Sequence, residues 1–371
     1  MGRIADAVPD RSTPIVAYCA HGSRSLLAAR MLESIGYADV VSMAGGFVAW
    51  RALRLPVDGD PGMAAAPLAP QPSGSPGVLG VSGVPGAPGA SGNLGVSGAL
   101  GGPGPGDLPA ALRADPGLTD AQRVRYGRHL VLPEVGESGQ ARLLASRVLV
   151  VGAGGLGSPA LLYLAAAGVG TLGVVDFDTV DLSNLQRQVV HTTDRVGRPK
   201  VASAGVAIAA LNPDVRVVAH QAELHEGNAD ALVAGYDAVV DGTDSFEARY
   251  ALNDAAVARG IPVVHASVFR SEGIVTVLDP PRGPCYRCLY PTPPPPELAP
   301  VCEVAGVLGV VPGILGLLQA NEVLKLLLRV GRTLTGRLLL FDAMDGSFEE
   351  VEVRRDPGCP TCTRGAVSAL R

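Results

Sequence analysis

The sequence predicts an α/β fold built on a doubly wound, mostly parallel sheet, with antiparallel additions near its end. From about Gly117 onward, short valine- and leucine-rich runs that are typical of buried strands alternate with helix-forming stretches. A Gly-x-Gly-x-x-Gly motif begins at Gly152, directly after one such strand and before a helix. That is the position this motif takes in nucleotide-binding sheets.

The predicted elements follow one another as strand–helix–strand units. The first strand is Arg147–Val151, and the helix after the glycine motif is Leu156–Ala167. The alternation continues through Leu172–Asp176, Lys200–Leu211, Arg216–His220, Ala229–Ala234, Ala238–Asp241, Phe246–Arg259 and Val263–Ala266. The antiparallel additions are predicted at Ile274–Leu278, Leu338–Phe341 and Glu349–Val353.

Chain length and composition allow one large domain with a smaller neighbour, because 47% of the 371 residues are hydrophobic. We predict a partial domain at residues 1–58, a linker at 59–116, a large domain at 117–365 and a tail at 366–371. The net charge of −5 argues against a nucleic-acid partner. The longest apolar run, at 304–318, is short for a membrane span and predicts a buried helix. With no targeting segment visible, we expect a cytoplasmic protein without a membrane partner.

The stretch at residues 59–107 holds 15 Gly and 9 Pro, and glycine recurs at every third position from Gly74 to Gly104. This register is typical of a collagen-like triple helix. Proline occupies only four of those 31 positions, below the ~15–20% of collagen-like sequence. A flexible linker is therefore the preferred interpretation.

The glycine motif consists of Gly152, Gly154, Gly155 and Gly157. Its glycines let the backbone approach a phosphate, and the helix that follows supplies N–H donors and positive potential. Asp176 ends the next predicted strand, 24 residues after Gly152, where a carboxylate can bind ribose hydroxyls. By themselves these residues favour a dinucleotide enzyme, such as an NAD(P)-dependent oxidoreductase.

Two cations and an acid change that interpretation. Arg187 follows the second strand and Lys200 opens a helix, and such cations neutralise a triphosphate during transfer reactions. Asp244 follows a strand at the sheet edge where ligands bind, and its carboxylate could hold Mg²⁺. Each has a simpler alternative, namely a surface salt bridge for Arg187, a solvated side chain for Lys200 and a helix N-cap for Asp244. Their occurrence together favours ATP.

Four of the six cysteines form two Cys-x-x-Cys pairs, Cys285/Cys288 and Cys359/Cys362. In a cytoplasmic protein such pairs predict metal ligands rather than disulfides. Four thiolates suit tetrahedral Zn²⁺ in a structural site, which predicts a Cys₄ zinc knuckle. Two separate thiol pairs, or a redox site, are the alternatives.

Residues 118–365 resemble the MoeB/ThiF family of ubiquitin-activating-enzyme-like adenylyltransferases, which have a Rossmann-like sheet. The matching stretches begin at Arg125, Gly152, Asp176, Ser183, Gly197, Asp241, Cys285 and Asp356, and they lie in the family's order. The resemblance implies ATP-dependent adenylylation of the C-terminal Gly carboxylate of a ubiquitin-like sulfur-carrier protein ending in Gly-Gly. The carrier would then form a thiocarboxylate for molybdopterin, thiamine or related biosynthesis. A catalytically inactive scaffold that only binds the carrier is the alternative.

The resemblance also implies residue roles. Asp244 serves Mg²⁺ and the α-phosphate, and Arg128 reaches the ATP of a neighbouring subunit, which implies a homodimer. A sulfur donor such as a cysteine desulfurase is a further implied partner. The residues that the resemblance places around the ribose and phosphates are Asp176, Asn184, Arg187 and Lys200.

A proline-rich segment, Pro291–Pro296, precedes the lone Cys302. Successive prolines favour polyproline II, so we expect a loop that crosses the mouth of the site. A thiol just before a helical region can be nucleophilic, and some family members form a covalent intermediate at a cysteine in this place. A buried structural cysteine is the alternative.

The N-terminal segment carries a second candidate thiol. The predicted strand Ile15–Tyr18 leads into Cys19-Ala-His-Gly-Ser-Arg24 and then a helix near Ser25–Ile35, an arrangement that stabilises a thiolate or persulfide. Residues 14–58 resemble part of a rhodanese domain; an unrelated small fold with a structural cysteine is the alternative. Only 18 residues precede Cys19, so we expect a partial sheet with an exposed edge and weak or absent sulfurtransferase activity.

Overall fold

The computed structural model describes residues 8–17, 29, 32–33, 36–42, 117–280, 282–293 and 306–365. The chain splits into two compact units, Met1–Leu100 and Gly101–Arg371.

In the N-terminal unit, strand β1 (Ile15–Ala17) pairs in parallel with strand β2 (Val40–Ser42). Tyr37 is buried; its hydroxyl donates to the Val8 carbonyl at 2.6 Å, and the Arg11 guanidinium lies over its ring. The few described residues of the predicted helix near Ser25–Ile35 are helical. Cys19 and the loop around it lie outside the described residues.

The larger unit contains an eight-stranded sheet in the order β10-β9-β8-β7-β6-β3-β4-β5. The strands from β7 to β5 in this order are parallel, and β8, β9 and β10 are added antiparallel, as the sequence predicts. The strands are β3 (Arg147–Val151), β4 (Thr171–Val175), β5 (Arg216–His220), β6 (Ala238–Asp241), β7 (Val263–Phe269), β8 (Glu272–Leu278), β9 (Arg337–Asp342) and β10 (Ser347–Glu352).

Helices connect the strands and cover the sheet. Two of them, at Lys200–Leu211 and Phe246–Arg259, have the predicted bounds, and the helix after the glycine motif begins one residue later than predicted. The helices are α1 (Asp120–Arg125), α2 (Gly127–Leu130), α3 (Gly136–Ala145), α4 (Gly157–Ala167), α5 (Lys200–Leu211), α6 (Glu226–Val233), α7 (Phe246–Arg259), α8 (Tyr286–Leu289), α9 (Val310–Leu328) and α10 (Cys362–Gly365).

The core lies between the sheet and the helices α4 and α9. All four residues of β6 are buried, as are the last four of β3, because parallel strands are covered on both faces. Gly316 of α9 lies so close to α4 that a β-carbon would overlap the Leu156 carbonyl. Apolar side chains and one glycine therefore bring α9 against the beginning of α4.

The buried helix predicted at residues 304–318 is present, but it runs over Val310–Leu328. Polar residues belong to its inner face: the Gln319 amide donates to the carbonyls of Asp241 and Val264 at 2.7 and 2.9 Å, and Glu322 accepts from the Leu334 amide. By length and composition this helix could cross a membrane, but half of it is buried against its own domain. The buried core helix of a soluble protein can have the same length and apolar composition.

Candidate nucleotide-binding site

The glycine motif forms a tight loop between β3 and α4. Gly152 has a φ of +92°, which favours glycine, and a β-carbon there would lie 2.6 Å from the Gly242 carbonyl. A β-carbon on Gly157 would overlap the Gly152 carbonyl. By contrast, the nearest atom to a β-carbon on Gly154 would be 3.8 Å away, on Gln188. Gly152 and Gly157 are therefore required by the fold, whereas Gly154 leaves open space for a ligand.

Asp176 supports the glycine loop from the end of β4. Its carboxylate accepts hydrogen bonds from the backbone amides of Ala153 and Asp178, at 2.8 and 2.9 Å. Burial raises the pKa of this carboxyl, while Lys200 and the two amides act in the opposite direction. Each carboxylate oxygen has a further lone pair, which leaves acceptors for a ribose hydroxyl.

Lys200 is buried at the first position of α5, with 7% of its side chain exposed. Its ammonium lies 2.7 Å from an Asp178 carboxylate oxygen, and its backbone amide donates to the Asp178 carbonyl. The alternative of a solvated lysine is therefore wrong. The buried Lys200 ammonium lies near Asp176, the carboxylate that supports the glycine loop, where it could bind an anionic ligand.

Arg187 and Asn184 lie on the segment between β4 and α5. The aliphatic stem of Arg187 packs beside Gly155, and its guanidinium donates to the Ser183 carbonyl at 3.1 Å. Among the described residues Arg187 forms no ion pair, so the salt-bridge alternative is not seen there. Asn184 caps a short 3₁₀ turn by accepting from the Asp181 amide.

The loop after β6 carries two acids with different environments. Asp241 is 2% exposed and accepts from Thr243 and from His265. Asp244 is exposed, and its side chain forms no hydrogen bond with the residues that the structure describes. The N-cap of α7 is Ser245, which accepts from the Ala248 amide, so the alternative of Asp244 as the cap is wrong.

This acid loop and the glycine loop are in direct contact. The Gly242 amide donates to the Val151 carbonyl at 2.9 Å, and Gly242 faces Gly152. The first turn of α9 packs on the other side of the glycine loop, where Pro312 lies next to Gly155. Strand ends and helix starts thus bring the predicted nucleotide residues to one edge of the sheet.

His191 connects several parts of this region, although no sequence motif pointed to it. Its Nε2 lies 3.0 Å from the Ala153 carbonyl oxygen, and its Nδ1 lies 2.9 Å from the Ser203 hydroxyl. Burial lowers the pKa of His191 to about 4, so the ring is neutral near pH 7. His191 joins the glycine loop to the helix that Lys200 begins, and a lone histidine in a loop has no motif that reveals this.

Arg128 lies on α2, apart from these loops in the sequence. It is exposed, and its side chain has no hydrogen bond or ion pair with the described residues of its own chain. Its neighbour Tyr126 is buried against Gly168 and accepts from Asn212 at 2.8 Å. The structure therefore fixes the helix and leaves the Arg128 guanidinium in solvent.

The four paired cysteines meet in one cluster. Their sulfurs all lie within 4.8 Å of one another, at 3.8 Å for Cys285–Cys288, 3.6 Å for Cys285–Cys359 and 3.5 Å for Cys288–Cys362. A regular tetrahedron with Zn–S bonds of about 2.3 Å has neighbouring sulfurs roughly 3.8 Å apart. The hydrogen bond from Cys285 lowers the pKa of Cys288 to about 5, which favours a thiolate. The cluster fits a metal ion, and the alternative of two separate thiol pairs is wrong.

The cysteine cluster is held on α7. Arg287 donates to both Asp254 carboxylate oxygens, at 2.8 and 2.7 Å, and the Tyr286 amide donates to Asn253. Because α7 begins at Phe246, two residues after Asp244, one helix connects the cluster to the acid loop. Cys302, the remaining candidate thiol, lies outside the described residues.

A cavity of about 870 Å³ opens at the opposite edge of the sheet. It is lined by residues that precede β3, β6 and β7, such as Ser146, Asp237 and Pro262. None of the predicted site residues lines it. The ends of the parallel strands that carry ligands in such sheets are those of the glycine and acid loops, so we place the site there and not in this cavity.

Comparison with known proteins agrees with this geometry. Residues 126–361 match the model of the ThiF family, and residues 2–53 match that of the rhodanese-like domain. The second match begins nearer the N-terminus than the resemblance at residues 14–58.

Three curated relatives are similar over the larger unit. The SAMP-activating enzyme E1 of Haloferax volcanii is 53% identical, over 68% of this chain and 93% of the relative. The sulfur carrier protein adenylyltransferase of Thermus thermophilus is 51% identical, over 64% and 90%. The probable adenylyltransferase/sulfurtransferase MoeZ of Mycobacterium tuberculosis is 48% identical, over 69% and 66%. None of these three names is that of an oxidoreductase.

Among solved structures, Escherichia coli MccB with ATP superposes with a TM-score of 0.58 at 19% identity, over 69% of this chain and 77% of MccB. This likeness supports the fold alone.

Proposed function

The chain belongs to the ThiF family, and from this premise we propose that it adenylylates the C-terminal Gly carboxylate of a small ubiquitin-like sulfur-carrier protein. One observation carries the proposal: the glycine loop contacts the loop that carries the exposed Asp244, and the buried Lys200 pairs with Asp178, two residues after the carboxylate that supports the glycine loop. Two relatives whose names state an activating or adenylylating activity match over at least 90% of their own length.

In the proposed reaction the carrier's ionised carboxylate attacks the α-phosphate of ATP, and pyrophosphate leaves. The product is an acyl-adenylate, from which a sulfur nucleophile later displaces AMP. No protein base is required, because the attacking carboxylate carries no proton at neutral pH. The chain's own contribution is positioning and charge stabilisation.

Each site residue has a place in this scheme. The loop amides after Ala153 and the start of α4 bind phosphate oxygens, and Asp176 accepts from the ribose. Lys200 and Arg187 stabilise the negative charge that moves onto pyrophosphate. Asp244 would hold Mg²⁺, which neutralises the phosphates when bound.

Two further sites complete the proposal. Zn²⁺ in the cluster of four cysteines would be structural, because all four coordination positions are taken by protein sulfurs.

Arg128, which is exposed and unpaired with the described residues of its own chain, would reach the ATP of a second subunit in a homodimer. A cysteine desulfurase, or a persulfide on Cys19, would supply the sulfur.

The test is the exchange of labelled pyrophosphate into ATP by the purified protein with and without Gly-Gly-ended carriers from the same organism. We expect exchange only when a suitable carrier with an intact C-terminus is added. The matched control is the same carrier with its last glycine removed. If the protein binds NADH and shows no exchange with any carrier, the oxidoreductase alternative is favoured. If it binds a carrier but shows no exchange, the inactive scaffold is favoured.

A further inference from the structure

Asp241 belongs to the motif at the end of β6, but it cannot touch a ligand. Its side chain is 3% exposed, and each carboxylate oxygen is already bonded within the protein. Although burial alone would raise its pKa, the hydrogen bonds from His265 and Thr243 and the charge of the Arg249 guanidinium hold the pKa of Asp241 below its usual value. An ionised, buried carboxylate next to a ligand-binding loop calls for a structural explanation.

The two oxygens of Asp241 connect different parts of the fold. One accepts from the Thr243 amide at 3.0 Å and from the Thr243 hydroxyl at 2.7 Å, which closes the turn just before Asp244. The other accepts from His265 Nδ1 at 2.7 Å. His265 lies on β7, directly opposite Asp241 in the parallel pairing, and is 1% exposed.

We propose that His265 is a positioning residue for the adenylylation reaction: by pairing with Asp241 it fixes the turn through Thr243 and so places Asp244 against the metal–nucleotide complex. The inference rests on the proposed function of the same site. His265 touches neither nucleotide nor metal, and acts through two hydrogen-bonded neighbours.

The physical reason is the cost of an unpaired buried carboxylate. Without the His265 donor, one Asp241 oxygen would be buried with no partner, and the carboxylate would rotate, take up a proton or admit water. Each of these changes alters the bonds to Thr243 and loosens the turn. Arg249 also donates to the Thr243 carbonyl, at 2.8 Å, so a support on the other side of the loop remains.

The experiment compares His265→Leu, which removes the donor, with His265→Asn, whose amide can donate from nearly the same position. The control is His225→Asn, at an exposed N-cap of α6 where asparagine is a good cap. ATP binding is measured in EDTA and in a Mg²⁺ titration, and carrier-dependent exchange is measured in parallel.

We expect His265→Leu to raise the Mg²⁺ concentration for half-maximal ATP binding about tenfold, to change ATP binding in EDTA less than twofold and to lower exchange. His265→Asn should recover most of the loss, and His225→Asn should match the wild type. Three results would overturn the inference. They are an unchanged Mg²⁺ dependence of ATP binding in His265→Leu, a loss of ATP binding that is equal with and without Mg²⁺, and no recovery of the Mg²⁺ dependence in His265→Asn.

If His265→Leu does not fold, Thr243→Val tests the same turn by removing the hydroxyl that bonds to Asp241. An unaltered Mg²⁺ dependence in that variant would also overturn the inference. The binding measurement needs no carrier. Absent exchange in the wild type would therefore count against the proposed function, while the Mg²⁺ dependence would still decide the role of His265.

Discussion

Lys200 is a charged residue in a buried position, which requires an anionic partner. In the free protein that partner is Asp178, whose carboxylate is half exposed. An arriving triphosphate offers a second anion to the same ammonium. The interpretation of Lys200 as a phosphate ligand therefore depends on its burial beside the glycine loop, and not on its charge alone.

We expect Lys200→Met to lower carrier-dependent pyrophosphate exchange by roughly 100-fold or more, because a positioned cation in a site of this kind typically contributes two to three powers of ten. Methionine keeps the apolar stem and removes the charge. The control is Arg354→Met, which removes an exposed cation whose partner, Glu352, is also exposed. A loss of less than threefold in Lys200→Met would argue against its role.

His191 gives the protein a pH-dependent stability. The folded-state pKa of about 4 lies below the ordinary 6.5, so the unfolded chain binds more protons between these values. The neutral His191 ring contributes fully to the free energy of unfolding above about pH 6.5. This contribution is lost as the pH falls toward 4, and the loss is at most roughly 3 kcal/mol at about 1.36 kcal/mol per pH unit.

We therefore expect His191→Gln, which keeps a donor for the Ala153 carbonyl but does not titrate, to lose less unfolding free energy than the wild type between pH 6.5 and 4.5. Urea denaturation at several pH values measures this. Parallel curves for the two proteins would contradict the assignment.

At the scale of elements, two tight loops decide the geometry of the site. The loop at the end of β3 approaches the loop at the end of β6 so closely that only glycine fits at Gly152. Gly154 lies in the same motif, but nothing in its protein surroundings excludes a side chain. The same motif thus contains two glycines that the fold requires, Gly152 and Gly157, and one, Gly154, that the ligand alone would require.

We expect Gly152→Ala to lower the free energy of unfolding by at least about 2 kcal/mol, because positive φ and contact with the Gly242 carbonyl both disfavour a β-carbon. Gly154→Ala should keep wild-type stability and weaken ATP binding. Chemical denaturation and ATP titration separate the two effects. Equal stability losses in both variants would contradict this division.

The cysteine cluster joins two short helices, α8 and α10, that are distant in the sequence. Cys285 and Cys359, whose sulfurs are in contact, are 74 positions apart. Neither helix, at four residues each, is stable by itself. The bound metal would supply the missing stabilisation and fix both helices on α7.

We expect Cys359→Ser to lose bound zinc and to lower the free energy of unfolding by more than about 3 kcal/mol, since metal binding and folding are coupled in such sites. Zinc content by atomic spectroscopy and thermal unfolding measure this. Cys302→Ser is the control and should retain zinc. Soluble, zinc-free Cys359→Ser protein with full activity would show that the cluster has no structural role.

At the scale of the whole molecule, Arg128 allows a test of assembly. If Arg128 acts on a neighbouring subunit, Arg128→Ala and Lys200→Met are each inactive, but a mixed dimer restores one complete site. Equal amounts of both, dissociated and reassembled at random, should recover roughly a quarter of the wild-type exchange, because half of the dimers are mixed and each has one working site. No recovery would place Arg128 in its own subunit's site.

The domain boundaries at residues 58, 116 and 365, the cytoplasmic location and the weak activity of the N-terminal segment stay predictions. Cys19 and Cys302 lie outside the described residues, and their roles stay predictions as well.

Much of the fold followed from local patterns. The strands Arg147–Val151 and Ala238–Asp241 have the predicted bounds, because buried parallel strands are short apolar runs between polar turns. The edge strand Arg216–His220 also has the predicted bounds, although none of its residues is fully buried. Helix α9 was predicted too short, because its buried Gln319 and Glu322 look like surface residues until their backbone partners are known.

Local sequence patterns were enough to predict the sheet, the glycine loop and the two cysteine pairs, since each depends on neighbouring residues and their spacing. The folded chain was needed to show that Asp241 is buried while Asp244 is exposed, and that Lys200 pairs with Asp178. It was also needed to show that His191 and His265 form buried hydrogen bonds beside these loops. The physical reason is that burial and hydrogen bonding join residues distant in the chain, and no local pattern records which of two acids turns toward solvent.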